Sequence, residues 1–127
     1  MRLSLTTHRV GHAFPTGDLF RRLRLSAEAF DEQGVVRREQ RYLARHFRLR
    51  RQSDGRWLRA LSSDDRPGGA SDEDGAVVVE FALGAWAEQH QIRWRVAYER
   101  VDHLDGDSED AATVADAVEI AGGVLSR

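Results

Sequence analysis

The chain has 127 residues, of which 41% are apolar, and its formal net charge is −2. This length fits one domain of ordinary size with a buried core. The absence of cysteine excludes disulfides, cysteine-ligated zinc, thiol catalysis and covalent c-type haem attachment on this chain. No run approaches the roughly 18 consecutive apolar residues of a membrane-spanning helix, so we expect no membrane span.

Charge is distributed unevenly along the chain. Residues 1–59 contain fourteen arginines against six acids, whereas residues 60–127 contain five arginines against fifteen acids. We interpret this asymmetry as basic strands that face acidic loops of the same domain, with an anionic partner as the alternative. Because the basic half lacks lysine, glycine-rich segments and a recognition-helix pattern, an anionic partner, nucleic acid included, ranks below the first interpretation.

Alternation of apolar and polar residues predicts strands along the first half of the chain. A short strand covers residues 2–6, a loop covers residues 9–18, and a long strand begins at Leu19. Residues 31–34, Asp-Glu-Gln-Gly, predict a hairpin turn. One long arginine-rich strand over residues 35–51 follows this turn.

The second half continues the pattern of short strands between turns. The strands are expected at 57–61, 76–83, 92–99 and 113–121, with a helical turn near 84–91 and acidic loops at 62–75 and 102–111. About seven strands at this spacing predict an all-β fold, an antiparallel immunoglobulin-like β-sandwich that forms a single domain over residues 1–127. A small barrel is the alternative architecture.

The chain contains no motif of a catalytic site. It has no Gly-x-Ser-x-Gly element, and its carboxylates cluster in acidic loops, where solvated charge is the expected role. Residues 102–110 lack the ligand spacing of an EF-hand calcium loop. We therefore predict no catalytic residues, and an enzyme with its own active site is the third-ranked class.

One segment near the N-terminus contains a histidine, aromatic residues and charged residues that a turn does not require. Residues 11–22 read GHAFPTGDLFRR. A turn requires only Pro15 and Gly17, and Phe14 would fill the end of the sandwich. This local interpretation leaves His12 as a loop residue that faces solvent.

The segment resembles the Gly-His-x-Phe-Pro-Thr-Gly element of bacterial multihaem c-type cytochromes, where it opens a β-sandwich domain after the haem-binding Cys-x-x-Cys-His segments. The matching residues are Gly11, His12, Phe14, Pro15, Thr16 and Gly17, followed by Asp18, Arg21 and Arg22. The resemblance implies that His12 is a metal ligand, the sixth ligand to a haem iron. The nearby Arg9, Arg21 and Arg22 are candidates to pair with haem propionates.

The chain departs from that family because it has no Cys-x-x-Cys-His segment. Either the haem c belongs to a partner segment that was cut away or to another chain, or the domain has lost the haem role, and no cofactor is bound covalently by this chain. The resemblance then implies an accessory domain of, or partner to, a multihaem cytochrome in electron transfer, which caps the haem array. It also implies a periplasmic or extracellular location, although the first ten residues show no signal peptide.

An immunoglobulin-like protein-binding module with no redox role is the alternative function. Such a module would hold a protein partner with its loops or with an edge strand. The arginine-rich strand 37–51 would be its contact surface. The two hypotheses differ at His12, which the binding module does not need.

Overall fold

The computed structural model describes residues 1–6, 13–15, 21–68, 76–103 and 112–126. In this part of the chain the strands and the single short helix are β1 (Arg2–Thr6), β2 (Arg21–Asp31), β3 (Gly34–Leu43), β4 (Arg45–Arg51), β5 (Trp57–Asp64), β6 (Ala76–Glu80), α1 (Trp86–Gln89), β7 (Gln91–His103) and β8 (Thr113–Leu125). The predicted all-β class is confirmed, with eight described strands instead of about seven. No helix in these ranges is long and apolar enough to cross a membrane.

The strands form three antiparallel sheets. The largest has the strand order β3-β2-β7-β8, while β1 pairs with β6 and β4 pairs with β5. One face of the large sheet packs against the β1–β6 sheet, and the two together enclose the core, as in a sandwich. The buried core residues include Leu23, Leu25, Ala27 and Ala29 of β2, Val79 of β6, and Ile92 and Val96 of β7. The period-two alternation of β2 places its four core residues on one face.

The arginine-rich strand expected over residues 35–51 is divided in two at Ala44. The N–H of Ala44 donates to Asp65 Oδ1 at 2.8 Å, and its carbonyl accepts from the N–H of Asp65 at 3.2 Å. Strand β3 therefore stays beside β2 in the large sheet, whereas β4 leaves it and pairs with β5. The prediction of one strand was wrong because the break depends on a residue 21 positions away.

The last strand extends beyond its predicted end at residue 121. It continues through Gly122 and Gly123 to Leu125, and Gly123 lies opposite Trp94 of β7. A Cβ at Gly123 would lie 3.1 Å from Trp94 Nε1, so the glycine makes room for the indole. Gly123 therefore allows close contact with Trp94 on the neighbouring strand, and it does not end β8.

The second face of the large sheet holds a network of buried ion pairs. Glu99 of β7 accepts from Arg22 Nε at 2.8 Å and from Arg24 Nε at 2.5 Å. Glu28 of β2 accepts from Arg38 and from Arg93, each at 2.7 Å. The side chains of both glutamates are at most 6% exposed. In this network the partners of the arginines are strand residues, and the acidic segments 69–75 and 104–111 lie outside the described residues.

The ionised form of Glu28 is favoured in the folded chain. Burial of the carboxylate raises its pKa. The hydrogen bond from Arg93 and the positive charges of Arg38 and Arg93 together lower the pKa by more than burial raises it. The net effect is a pKa below the ordinary value of 4.5. The network therefore contributes stability that depends on pH.

Candidate functional site

The segment that resembles the cytochrome element is described in part. Ala13, Phe14 and Pro15 belong to the described residues, whereas His12 and Arg9, two of the predicted site residues, lie outside them. The other two, Arg21 and Arg22, open strand β2. The site can therefore be built from residues 13–15 and the residues that contact them.

Phe14 and Pro15 are fixed at the end of the sandwich by contacts to two other parts of the chain. The N–H of Phe14 donates to the carbonyl of Pro67 at 2.9 Å, and its ring centroid lies 6.0 Å from that of Tyr98. Pro15 is fully buried, and its carbonyl accepts from Arg66 Nη1 at 2.8 Å. We call residues 13–15 with Arg66, Pro67 and Tyr98 the motif anchor.

Arg66 connects the motif anchor to the end of strand β5. Besides its bond to Pro15, its guanidinium donates through Nε and Nη2 to the two carboxylate oxygens of Asp64, at 2.8 and 2.7 Å. The hydrogen bond from Arg66 lowers the pKa of Asp64, and the same bond raises the pKa of Arg66. Both groups therefore stay charged over the physiological range, and the bridge persists.

The two described arginines of the predicted site point to opposite faces of the large sheet. Arg21 donates from Nη1 to the hydroxyl of Tyr98, which places it beside the motif anchor. Arg22 is buried on the other face, where Glu99 holds its Nε and its guanidinium lies 4.0 Å from the ring centroid of Tyr42. The alternation of strand β2 explains the separation of these sequence neighbours.

Sequence reasoning did not single out Arg66 or Tyr98. Arg66 is the only basic residue in the acidic segment 62–75. This feature could have indicated that Arg66 has a structural or functional role. Tyr98 belongs to the predicted strand 92–99, in which apolar and polar residues alternate regularly. An aromatic residue in such a pattern is expected to be an ordinary core residue. Its link to Phe14 depends on the packing of distant segments, which the sequence pattern does not contain.

Two other histidines have defined surroundings. His46 Nε2 lies 2.8 Å from Asp65 Oδ1, beside the break between β3 and β4. The ring of His90 lies 5.3 Å from Trp86, and its Nε2 is 3.9 Å from Asp31 at an open cleft of about 620 Å³. Within the described ranges no three or more His, Cys, Asp or Glu residues come together as a metal site would require.

Two groups of neighbouring apolar residues in the described part of the chain are exposed to about half or more of their full area. The β4–β5 hairpin exposes Trp57, Leu58 and Leu61, between 50% and 62% each. Strand β8, at one edge of the large sheet, exposes Val118, Ile120, Val124 and Leu125 to about half of their full area. Exposed groups of this kind are typical of protein interaction surfaces.

Comparison with known proteins gives no relative. No family model, no curated protein and no solved structure matches the chain. Function must therefore be inferred from the residues of this chain and from the short element that they contain.

Proposed function

We propose that the chain is an accessory domain of a multihaem c-type cytochrome or of its assembly. In this role the domain covers one end of a haem array, and His12 supplies the sixth ligand to one iron. The haem, held covalently by another segment or chain, supplies the electron-transfer chemistry. No catalytic residue of this chain is required.

The observation that carries the proposal is the fixation of Phe14 and Pro15 in the motif anchor. A histidine that binds iron must be presented in a defined orientation, and the backbone beside it has to be held by the protein. The chain directly after His12 meets this condition, because Phe14 bonds to Pro67 and Pro15 is buried and bonded to Arg66. The conformation of residues 13–15 is therefore determined by the fold.

The arrangement of the arginines supports a distinct role for each. Arg21 lies beside the motif anchor through its bond to Tyr98, and a guanidinium there suits the carboxylate of a haem propionate. The guanidinium of Arg22 is held by Glu99 inside the sheet, so in our proposal it stabilises the fold. Arg9 remains a second candidate for a propionate.

An optical titration with a haem-c peptide that carries its own proximal histidine tests this proposal. The wild-type domain should convert the peptide to a low-spin spectrum with two imidazole ligands, and His12→Ala should abolish the conversion. His90→Ala is the matched control, since His90 lies against Trp86 away from the motif anchor, and it should behave as wild type. A wild-type spectrum without conversion, or one that His12→Ala leaves unchanged, would refute the proposal.

A protein-binding module without a redox role is the second candidate function. The exposed Trp57 and Leu61 of the β4–β5 hairpin favour it, as does the row of exposed arginines Arg48, Arg50 and Arg51 on β4. Tryptophan and arginine are enriched among residues that dominate binding energy in interfaces. This alternative predicts that the haem-c titration gives no spectral change that depends on His12.

A further inference from the structure

The two edges of the four-stranded sheet differ in how they are protected against pairing with another strand. The β3 edge carries the half-exposed arginines Arg37, Arg38 and Arg41. Charged side chains of this kind discourage addition of a strand. The β8 edge carries only two charged residues, Asp116 and Glu119, along thirteen positions.

The last part of β8 is an uncharged and regular edge. Residues 120–125 read IAGGVL, and Ile120, Val124 and Leu125 are each about half exposed. From Ala121 to Leu125 the strand pairs with β7 without a register shift. Within the described part of the chain β8 has no neighbour on its outer side, so the backbone groups that point outward there have no strand partner.

This segment is compatible with an antiparallel copy of itself. Apolar residues lie on both sides of the Gly122–Gly123 pair, so pairing about this point sets apolar against apolar residues. At about 3.4 Å per residue, the two Glu119 residues would then be at least about 20 Å apart. That distance exceeds the Debye length of about 8 Å, so repulsion between them is screened. Parallel pairing would instead bring them together.

We propose that β8 forms a two-fold symmetric, antiparallel pair with β8 of a second copy of the chain. The two-fold axis lies near Gly122 and Gly123, normal to the sheet. A continuous eight-stranded sheet results, in which the core faces of both copies lie on the same side. The proposal is independent of haem binding, because it uses no residue of the motif anchor.

Analytical ultracentrifugation of the full chain tests this proposal. The wild type should reach twice the chain mass with rising concentration. The double variant Ile120→Lys/Val124→Lys should raise the dissociation constant about tenfold or more. Val78→Lys on β6 is the matched control, because Val78 is 54% exposed and belongs to another sheet, and it should dimerise as the wild type does.

The absence of cysteine allows a second measurement that does not depend on lysine variants. With a single spin label at Val124→Cys, the proposed pairing places the two labelled Cα atoms about 8–14 Å apart. A label at Val78→Cys should give a clearly longer distance. A monomer at all concentrations, open-ended growth of the mass, or a dimer with distant labels at position 124 would overturn the proposal.

Discussion

Of the two glutamates in the network of buried ion pairs, Glu99 has the less exposed side chain. It accepts hydrogen bonds from Arg22 and Arg24, and its side chain is only 3% exposed. Removing one partner of a buried ion pair leaves the other charge uncompensated, which costs about 3–5 kcal/mol. We therefore expect Glu99→Gln to lower the free energy of unfolding by about that amount in urea titrations.

Glu80→Gln is the matched control for this prediction. Glu80 also pairs with an arginine across strands, Arg2, but both side chains are about two-thirds exposed or more. Exposed ion pairs contribute about 0–1 kcal/mol, so this variant should unfold almost as the wild type does. Equal losses in the two glutamine variants would contradict the role given to the buried network.

Glu28 makes the stability of the domain depend on pH. Because the pKa of Glu28 is lowered below 4.5 on folding, chiefly by Arg93 and Arg38 acting against burial, its ionised form stabilises the fold. This contribution is complete above pH 4.5 and disappears as the pH falls through the lowered pKa. Glu28→Gln should therefore be less stable than the wild type at neutral pH, and the difference should shrink in acid. Urea titrations at several pH values would show a constant difference if this assignment is wrong.

At the scale of elements, the motif anchor depends on Arg66, which joins the end of β5 to Pro15. In Arg66→Ala this link is lost, and the N–H of Phe14 should exchange with solvent faster, since its acceptor Pro67 directly follows Arg66. Hydrogen exchange followed by NMR measures this amide directly. Arg56→Ala, which removes a guanidinium that is 82% exposed, should leave the rate unchanged. Equal rates in all three proteins would show that Arg66 does not hold the segment.

Elements that depend on local chemistry could be predicted from the sequence. The turn after β2 is an example, because Asp31 Oδ1 accepts from the N–H groups of Gln33 and Gly34, and Gly34 has a φ of 129°. The break at Ala44 could not be predicted, because its bonds come from Asp65 and the alternation continues across it. The length of β8 was missed for the same reason, since the role of Gly123 depends on Trp94.

At the scale of the whole molecule, the division of the sequence into a basic half and an acidic half only partly identifies which charged residues pair in the fold. The basic half does contain the arginines of β2 and β3, but the acids that bind them in the network are Glu28 and Glu99, on strands. The period-two alternation of the strands accounts for the placement of these positions together on one face. It did not predict their burial, which requires the arginine side chains of three neighbouring strands to cover the carboxylates.

The candidate site was predicted only through its resemblance to the cytochrome element. That resemblance names His12, Arg9, Arg21 and Arg22, all within one short segment. The residues that support the segment, Arg66, Pro67 and Tyr98, come from far along the chain. Such support depends on tertiary packing, so a motif in one segment contains no information about it.

We propose that the domain supplies His12 to a haem iron carried by another segment or chain. Electron paramagnetic resonance of the ferric haem-c peptide mixed with the domain tests this most directly, because the signal reports the axial ligands of the iron. We expect a low-spin signal of iron with two imidazole ligands for the wild type and for His90→Ala, and we expect this signal to be lost in His12→Ala. A high-spin signal with the wild type, or the same low-spin signal with His12→Ala, would contradict the proposal.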